Sequence, residues 1–160
     1  MAEKALNDLF LDTLKDIYYA EKQISLPEMA KTAASERLRA AVEQHHNQTE
    51  MQIERLEKIF EMQGKPARGK KCDAIEGILD EGKEIMAEYE STPALDAGLL
   101  AAAQAVEHYE ISRYGKLKTW ADRLNLPNAV KLLNETLNEE KKTDDMLSAI
   151  AVSAVNAEAA

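Results

Sequence analysis

The sequence predicts an all-α fold, four long helices forming a bundle plus a short crossover helix, and two observations carry that expectation. Ala, Glu, Lys, Leu and Gln dominate the 160 residues, with only six Gly, four Pro and 5% aromatics; these are strong helix formers with few breakers. Apolar residues recur at intervals of three and four, and no sustained alternating β-branched run occurs, so the pattern has the helical and not the strand period.

The first long helix is expected from about Lys4 to Ala34, with the inward stripe Phe10, Leu14, Ile17, Glu21, Ile24. Pro27 lies inside it and should kink or break it, because proline offers no N–H and clashes with the preceding turn. The second helix runs from about Glu36 to Met62 with Ser35 as N-cap. Its stripe is Leu38, Val42, His45, Thr49, Gln52, Leu56, Ile59. Gly64 to Lys71 reads as a solvated basic loop. Asp73 and Glu76 then have capping-box spacing and open a shorter helix to about Glu90. Thr92-Pro93 reads as N-cap and first-turn proline of the third long helix. That helix continues to about Leu124, with stripe Leu99, Ala103, Val106/Glu107, Glu110, Leu117, Ala121, Leu124. After the turn Asn125-Leu126-Pro127 the fourth helix reaches about Val155, with stripe Ala129, Leu133, Thr136, Glu140, Thr143, Leu147, Ile150; Asn156 to Ala160 is expected to fray.

The two outer connections are tight, so each flanking pair should be antiparallel. The segment 61–92 is long enough to travel the ~40 Å length of the second helix and start the third from the opposite end. Second and third helices would then be parallel, the one-crossover ferritin-like connectivity. The whole chain, 1–160, reads as one domain.

Each apolar stripe is interrupted near its middle. Glu21 lies 14 residues before Ser35 and Thr49 lies 14 after it; Glu110 and Glu140 lie 15 residues either side of Asn125. At ~1.5 Å per residue these positions share a height. Converging carboxylates repel and resist burial without a counter-charge. A metal ion supplies that charge, and carboxylate oxygens with an imidazole suit iron or manganese. The candidate ligands are Glu21, His45, Glu107, Glu110 and Glu140, for one or two ions per chain. The competing reading is a purely structural layer. A single stripe Glu is ordinarily satisfied by neighbours such as Tyr18, Tyr114, Thr49, Gln52, Thr136 and Thr143. Three or four at one level beside a histidine favour the metal.

Other signals are weaker. Glu43 and His46 form a Glu-x-x-His, but Glu43 continues into Glu50 and Glu57 as a solvated face. His108 points away from Glu110. Cys72, the sole cysteine, precedes a helix and reads as a partly buried thiol; one cysteine excludes an intrachain disulfide. The net charge of −9 argues against nucleic acid or an anionic membrane as partner. The N-terminus lacks a signal-peptide pattern, and no apolar run approaches ~20 residues, so a cytoplasmic location is expected.

Four motifs in order carry a family resemblance: Tyr19-Ala-Glu21-Lys-Gln, His45-x-x-x-Thr49-x-x-Gln52-Ile-Glu-Arg55-Leu, Ala103-Gln-Ala-Val-Glu107-His-Tyr-Glu110-Ile-Ser-Arg-Tyr114-Gly, and Leu137-Asn-Glu139-Glu140-Lys-Lys-Thr143-Asp144. They resemble the YciF-type, ferritin-like bacterial stress proteins over nearly the whole chain. The resemblance implies a ferritin-like fold, a homodimer, a bacterial cytosolic location and a link to osmotic, envelope or oxidative stress. Iron-storing and rubrerythrin-like relatives carry Glu-x-x-His on the second helix, and many repeat it on the fourth. Here the level-matched positions are Thr49-x-x-Gln52 and Glu140-x-x-Thr143, a departure that puts a standard ferroxidase centre in doubt and leaves a mononuclear, asymmetric or vestigial site open. Two functions follow: a metal-binding stress protein that oxidises Fe(II) or handles peroxide, or a non-enzymatic dimeric stress or scaffold protein whose polar layer only sets helix register.

Overall fold

A computed structural model describes residues 5–24 and 26–159. The helices are α1 (Leu6–Gln23), α2 (Leu26–Thr32), α3 (Glu36–Met62), α4 (Asp73–Glu88), α5 (Leu95–Arg123) and α6 (Pro127–Ile150). A π-helical turn, Ala151–Val155, and a short α-helical turn, Asn156–Glu158, extend α6. No strand occurs among the described residues.

The side-chain pairs fix the helix directions. Gln104 donates to Asp144 and Ser148, while Lys118 donates to Asn134, so α5 and α6 are antiparallel. His45 faces Glu140 and Arg55 reaches back to Thr136, so α3 and α6 are antiparallel as well. Hence α3 and α5 are parallel, as the long link implied. Glu21 meets Tyr114 while the turn at Ala34 meets Asp96, which sets α1 antiparallel to α5. The crossover returns along α1 and α5: Lys70 N–H donates to Lys15 C=O, Tyr19 donates to Glu76, and Gly98 lies against Ile85. A Cβ at Gly98 would stand 2.6 Å from Ile85 Cγ2, so only glycine lets α4 seat this closely on α5.

Every inward residue named for the four stripes is buried except Leu124, which is half-buried. Phe10, Leu14, Leu56, Phe60, Leu117 and Leu133 pack one end of the bundle; Leu38, Val42, Leu99, Leu147 and Ile150 pack the other. Each such side chain contributes ~1.5–3 kcal/mol of burial. The polar layer lies between these two apolar ends.

The local differences from the sequence expectation have physical causes. Pro27 breaks the first helix outright: α1 ends at Gln23, Ile24 turns to an extended conformation, and Pro27 sits in the first turn of α2, where its missing N–H costs nothing. Lys4, the expected start, lies outside the described residues. Ser35 caps α3 through Leu38 N–H, and Gly64 closes the helix at φ +60°. The Asp73/Glu76 capping box does not form: Cys72 is the N-cap, and Glu76 is drawn instead to the Tyr19 hydroxyl. α5 starts at Leu95 and not at Pro93, because Ser91 adopts φ 61° and Thr92 caps the preceding turn through Tyr89 C=O. The fourth helix changes to a π turn over its expected last residues, with Val155 2% exposed against the core, and the Asn156–Glu158 turn that follows has no buried residue.

Asp96 was not singled out by pattern, yet it ties the crossover to the first hairpin. Its two carboxylate oxygens accept the N–H groups of Ala34 (2.8 Å) and Ser35 (2.6 Å). Charge-assisted bonds of this kind are worth ~1.5–3 kcal/mol each when partly buried. Asp96→Ala is expected to lower unfolding free energy by about 2–4 kcal/mol in urea titration, with helical content in the folded baseline unchanged.

Candidate metal centre

His45 (α3), Glu107 and Glu110 (α5) and Glu140 (α6) meet in one buried cluster, each offering a donor atom within 4.8 Å of the others. They lie where the stripe periodicity and the matched distances from the turns put them. Glu21 (α1) borders the same layer. Its Oε1 accepts the Tyr114 hydroxyl, and it is close enough to Glu110 to share a proton. All five side chains are at most 2% exposed.

His45 organises the cluster. Its Nδ1 lies 2.5 Å from Glu107 Oε1, and its Nε2 lies 3.5 Å from both Glu110 Oε2 and Glu140 Oε2. The short contact fixes the ring through Nδ1 against Glu107 and leaves Nε2 facing two carboxylates. A carboxylate orienting one ring nitrogen so that the other faces a metal is a recurring arrangement.

With the carboxylates ionised, several buried atoms have no hydrogen-bond partner: Glu21 Oε2, His45 Nε2, Glu107 Oε2, both oxygens of Glu110, Glu140 Oε2 and Gln52 Oε1. Leaving one buried acceptor unsatisfied costs ~1–3 kcal/mol, more for charged groups. Protons, a cation or internal water would satisfy these acceptors, and only the first two offset the charge. Burial pushes Glu21 and Glu107 up to about 8; the Glu140 charge adds to the shift at Glu21. Burial also raises Glu110 well above the usual carboxylate range, helped by Glu140 and Glu21, and raises Glu140 against the opposing pull of His45. Without metal, the layer keeps protons at neutral pH. The donor set of carboxylate oxygens and one imidazole fits a divalent or trivalent first-row ion, and the unpartnered atoms are those such an ion would satisfy.

A second network supports the cluster. Gln52 Nε2 donates to Glu140 Oε1 and, at 3.2 Å, to Glu139 Oε2. Arg55 holds Glu139 bidentately at 2.6 and 2.8 Å and also donates to Thr136. Sequence reading placed Gln52 and Thr136 on their stripes but gave Arg55 and Glu139 no role. The available signal was Arg55 one turn beyond Gln52 and Glu139 beside Glu140.

The remaining candidates lie elsewhere. Tyr18 does not reach the cluster: its hydroxyl donates to Glu57 and its ring packs edge-on against Phe60. Glu43 is exposed, and it lines a surface groove with His46. His108 is exposed and pairs with Asp144 at 3.1 Å. Cys72 Sγ contacts Tyr109 Oη at 3.4 Å; burial raises its pKa, but that hydrogen bond and the N–H groups of Ile75 and Ala74 outweigh it and lower the thiol.

Fold and site together define a class: a one-crossover helical bundle with a carboxylate–histidine layer at its centre. The chain belongs to the DUF892 family, a domain of unknown function whose sequence model matches residues 5–160, and the YciF resemblance holds. It is 41% identical to Protein YciF of Escherichia coli (strain K12), over 99% of this chain and 98% of that one. The crystal structure of the E. coli stress protein YciF superposes with a TM-score of 0.91, covering 96% of this chain and 99% of that one. YcfI from Rhodopseudomonas palustris, provisionally described as a structural protein, is 42% identical, with a TM-score of 0.88 over 91% of this chain and 94% of that one.

The pH dependence of the metal-free protein follows from the raised carboxyls. Their folded pKa values exceed the unfolded value of 4.5, so the folded state binds more protons between pH 4.5 and about 8. Their contribution to stability is complete below pH 4.5 and is lost as pH rises through 8, at about 1.4 kcal/mol per pH unit per retained proton. Chelator-treated protein should melt at progressively lower temperature from pH 5.5 to 8, and Glu140→Gln should flatten that decline.

Proposed function

We propose that this chain is a bacterial cytosolic stress protein that binds iron, or manganese, at His45, Glu110 and Glu140, with Glu107 and Glu21 completing the site, and that it oxidises Fe(II) or handles peroxide there. The observation that carries the reading is the set of unpartnered buried donors around His45 Nε2. The stress association rests on the likeness to E. coli YciF.

Bound iron would supply an Fe(II)/Fe(III) couple, one electron per ion, so the two-electron reduction of a peroxide would consume two Fe(II) equivalents. The chain's own groups do the rest. Glu110 and Glu140 release protons as a cation enters, so affinity rises with pH. Glu107 holds the imidazole by Nδ1 and turns Nε2 toward Glu110 and Glu140. Tyr114 fixes one oxygen of Glu21, leaving the other to accept a proton. The apolar ends of the bundle exclude bulk water, which strengthens the attraction between carboxylates and cation.

The scaffold alternative uses the same layer without metal, to fix helix register. Thermal shift separates the two. A ligand bound only by the folded state at ~1,000 times its dissociation constant adds about 4 kcal/mol. Fe(II) or Mn(II) should raise the melting temperature of the parent clearly. Glu110→Ala and Glu140→Ala should abolish the rise, whereas Glu43→Ala and His108→Ala should retain it. A Glu140→Gln variant more stable than the parent in the presence of metal would overturn the metal reading.

The assembly proposed is a homodimer of this single domain, as the resemblance to the YciF-type family implies. Light scattering should give twice the chain mass; a particle above about ten chains would contradict it.

A further inference from the structure

The donors of the cluster are arranged on two sides of Glu140, and the sides differ in kind. On one side stand His45 Nε2, Glu110 Oε2 and Glu140 Oε2, with both oxygens 3.5 Å from the nitrogen and no hydrogen bond to any of the three. Two donors each ~2.1 Å from a common ion lie ~3.4 Å apart at a tetrahedral angle. The nitrogen therefore stands from each oxygen at the spacing of two ligands on one cation, and the four residues offer donors within 4.8 Å of one another.

The other side is closed by a donor. Glu140 Oε1 accepts the Gln52 amide N–H, so that lone pair faces positive hydrogen. A second cation bridged through Glu140 would have to displace the amide or lie against it. The amide cannot simply turn over. Its Nε2 also donates to Glu139 Oε2 at 3.2 Å, and Arg55 clamps Glu139 with both terminal nitrogens. Rotating Gln52 would set its carbonyl oxygen against two carboxylates. Glu21 is restricted in a similar way, because Tyr114 occupies its Oε1 and only Oε2 remains free.

We infer that the centre takes a single cation per chain and that Gln52, pinned by the Arg55–Glu139 pair, is the residue that withholds a second position. The inference rests on the metal-centre reading. It assigns Gln52 a specificity role that the cluster alone does not reveal: the site's neighbour on α3 is a fixed hydrogen-bond donor where an acceptor would admit another ion.

The test is the number and magnetic environment of bound Mn(II) in the full chain, stripped with chelator and titrated at pH 8. The parent should bind one Mn(II) per chain, with the six-line electron paramagnetic resonance signal of an isolated ion. Gln52→Glu, which exchanges the amide donor for an acceptor, should bind two, with a signal broadened by exchange between neighbouring ions. Gln52→Met, which removes the donor without adding a ligand, should stay at one, with affinity weakened ~10–100-fold as is usual for loss of a group that orients a ligand. Where the added charge of Gln52→Glu prevents folding, the double variant Gln52→Glu/Glu139→Gln relocates the charge and carries the same expectation of two ions. Two coupled ions in the parent would overturn the single-ion inference and leave the metal-centre reading standing. A folded Gln52→Glu chain, or the folded double variant, that still binds one ion would overturn the role of Gln52. No Mn(II) binding by the parent would overturn both readings.

Discussion

The structure depends on one constraint: five ionisable side chains share a dry layer whose charges cannot all stand alone. Glu21, Glu107, Glu110 and Glu140 bring four potential negative charges to a region at most 2% exposed, with one imidazole among them. Among the described residues no lysine or arginine is buried in the core. Solvation by water is denied, so neutralisation must come from retained protons or from a cation. Protons leave several acceptors without partners. A cation gathers them around a single centre. His45, with Nδ1 against Glu107 and Nε2 3.5 Å from an oxygen each of Glu110 and Glu140, is the point at which either a cation or a carboxyl proton would be held.

The rest of the bundle serves that layer. Apolar residues at both ends hold the four long helices at the heights that bring the carboxylates together. The long crossover makes α3 and α5 parallel, which sets His45 beside Glu107 and Glu110. Asp96 fastens the start of α5 to the turn before α3, so the two helices that carry these three residues share a fixed origin. The Arg55–Glu139 pair sits at the edge of the layer, where partial exposure lowers the cost of its charges. Through Gln52 it determines how Glu140 is presented. Glu21, Glu107 and Glu140 are each held at one oxygen, by Tyr114, His45 and Gln52, and open at the other, while Glu110 is open at both.

Much of this was legible in the sequence because helices are regular. Counting residues from Ser35 and Asn125 placed Glu21, Glu110 and Glu140 at one level, and the 3.6-residue period placed His45 and Glu107 within a turn of it. What counting missed has a common cause. Glu139 is rotated ~100° from Glu140 on the same helix, so a stripe analysis discards it, although Arg55 then brings it to the border of the site. Asp96 stood out in no sequence pattern, because its partners are backbone groups 61 and 62 positions away and backbone donors leave no sequence signature. Tyr18 and Tyr114 both looked able to reach the layer; one turn of phase sends Tyr18 to Glu57 and Tyr114 to Glu21. The break before Pro27 was anticipated, but its position at Ile24 depends on how α2 packs.

An anomalous-difference map tests the central claim most directly. Crystals would be grown from protein purified without chelators and soaked in Mn(II) at pH 8, with data collected above the manganese edge. The expected result is one strong peak in the bundle interior, ~2.0–2.3 Å from His45 Nε2 and from an oxygen each of Glu110 and Glu140. An interior with no anomalous peak, His45 Nε2 hydrogen-bonded to a protonated Glu110 or Glu140, would show that protons alone neutralise the layer and would contradict the metal centre.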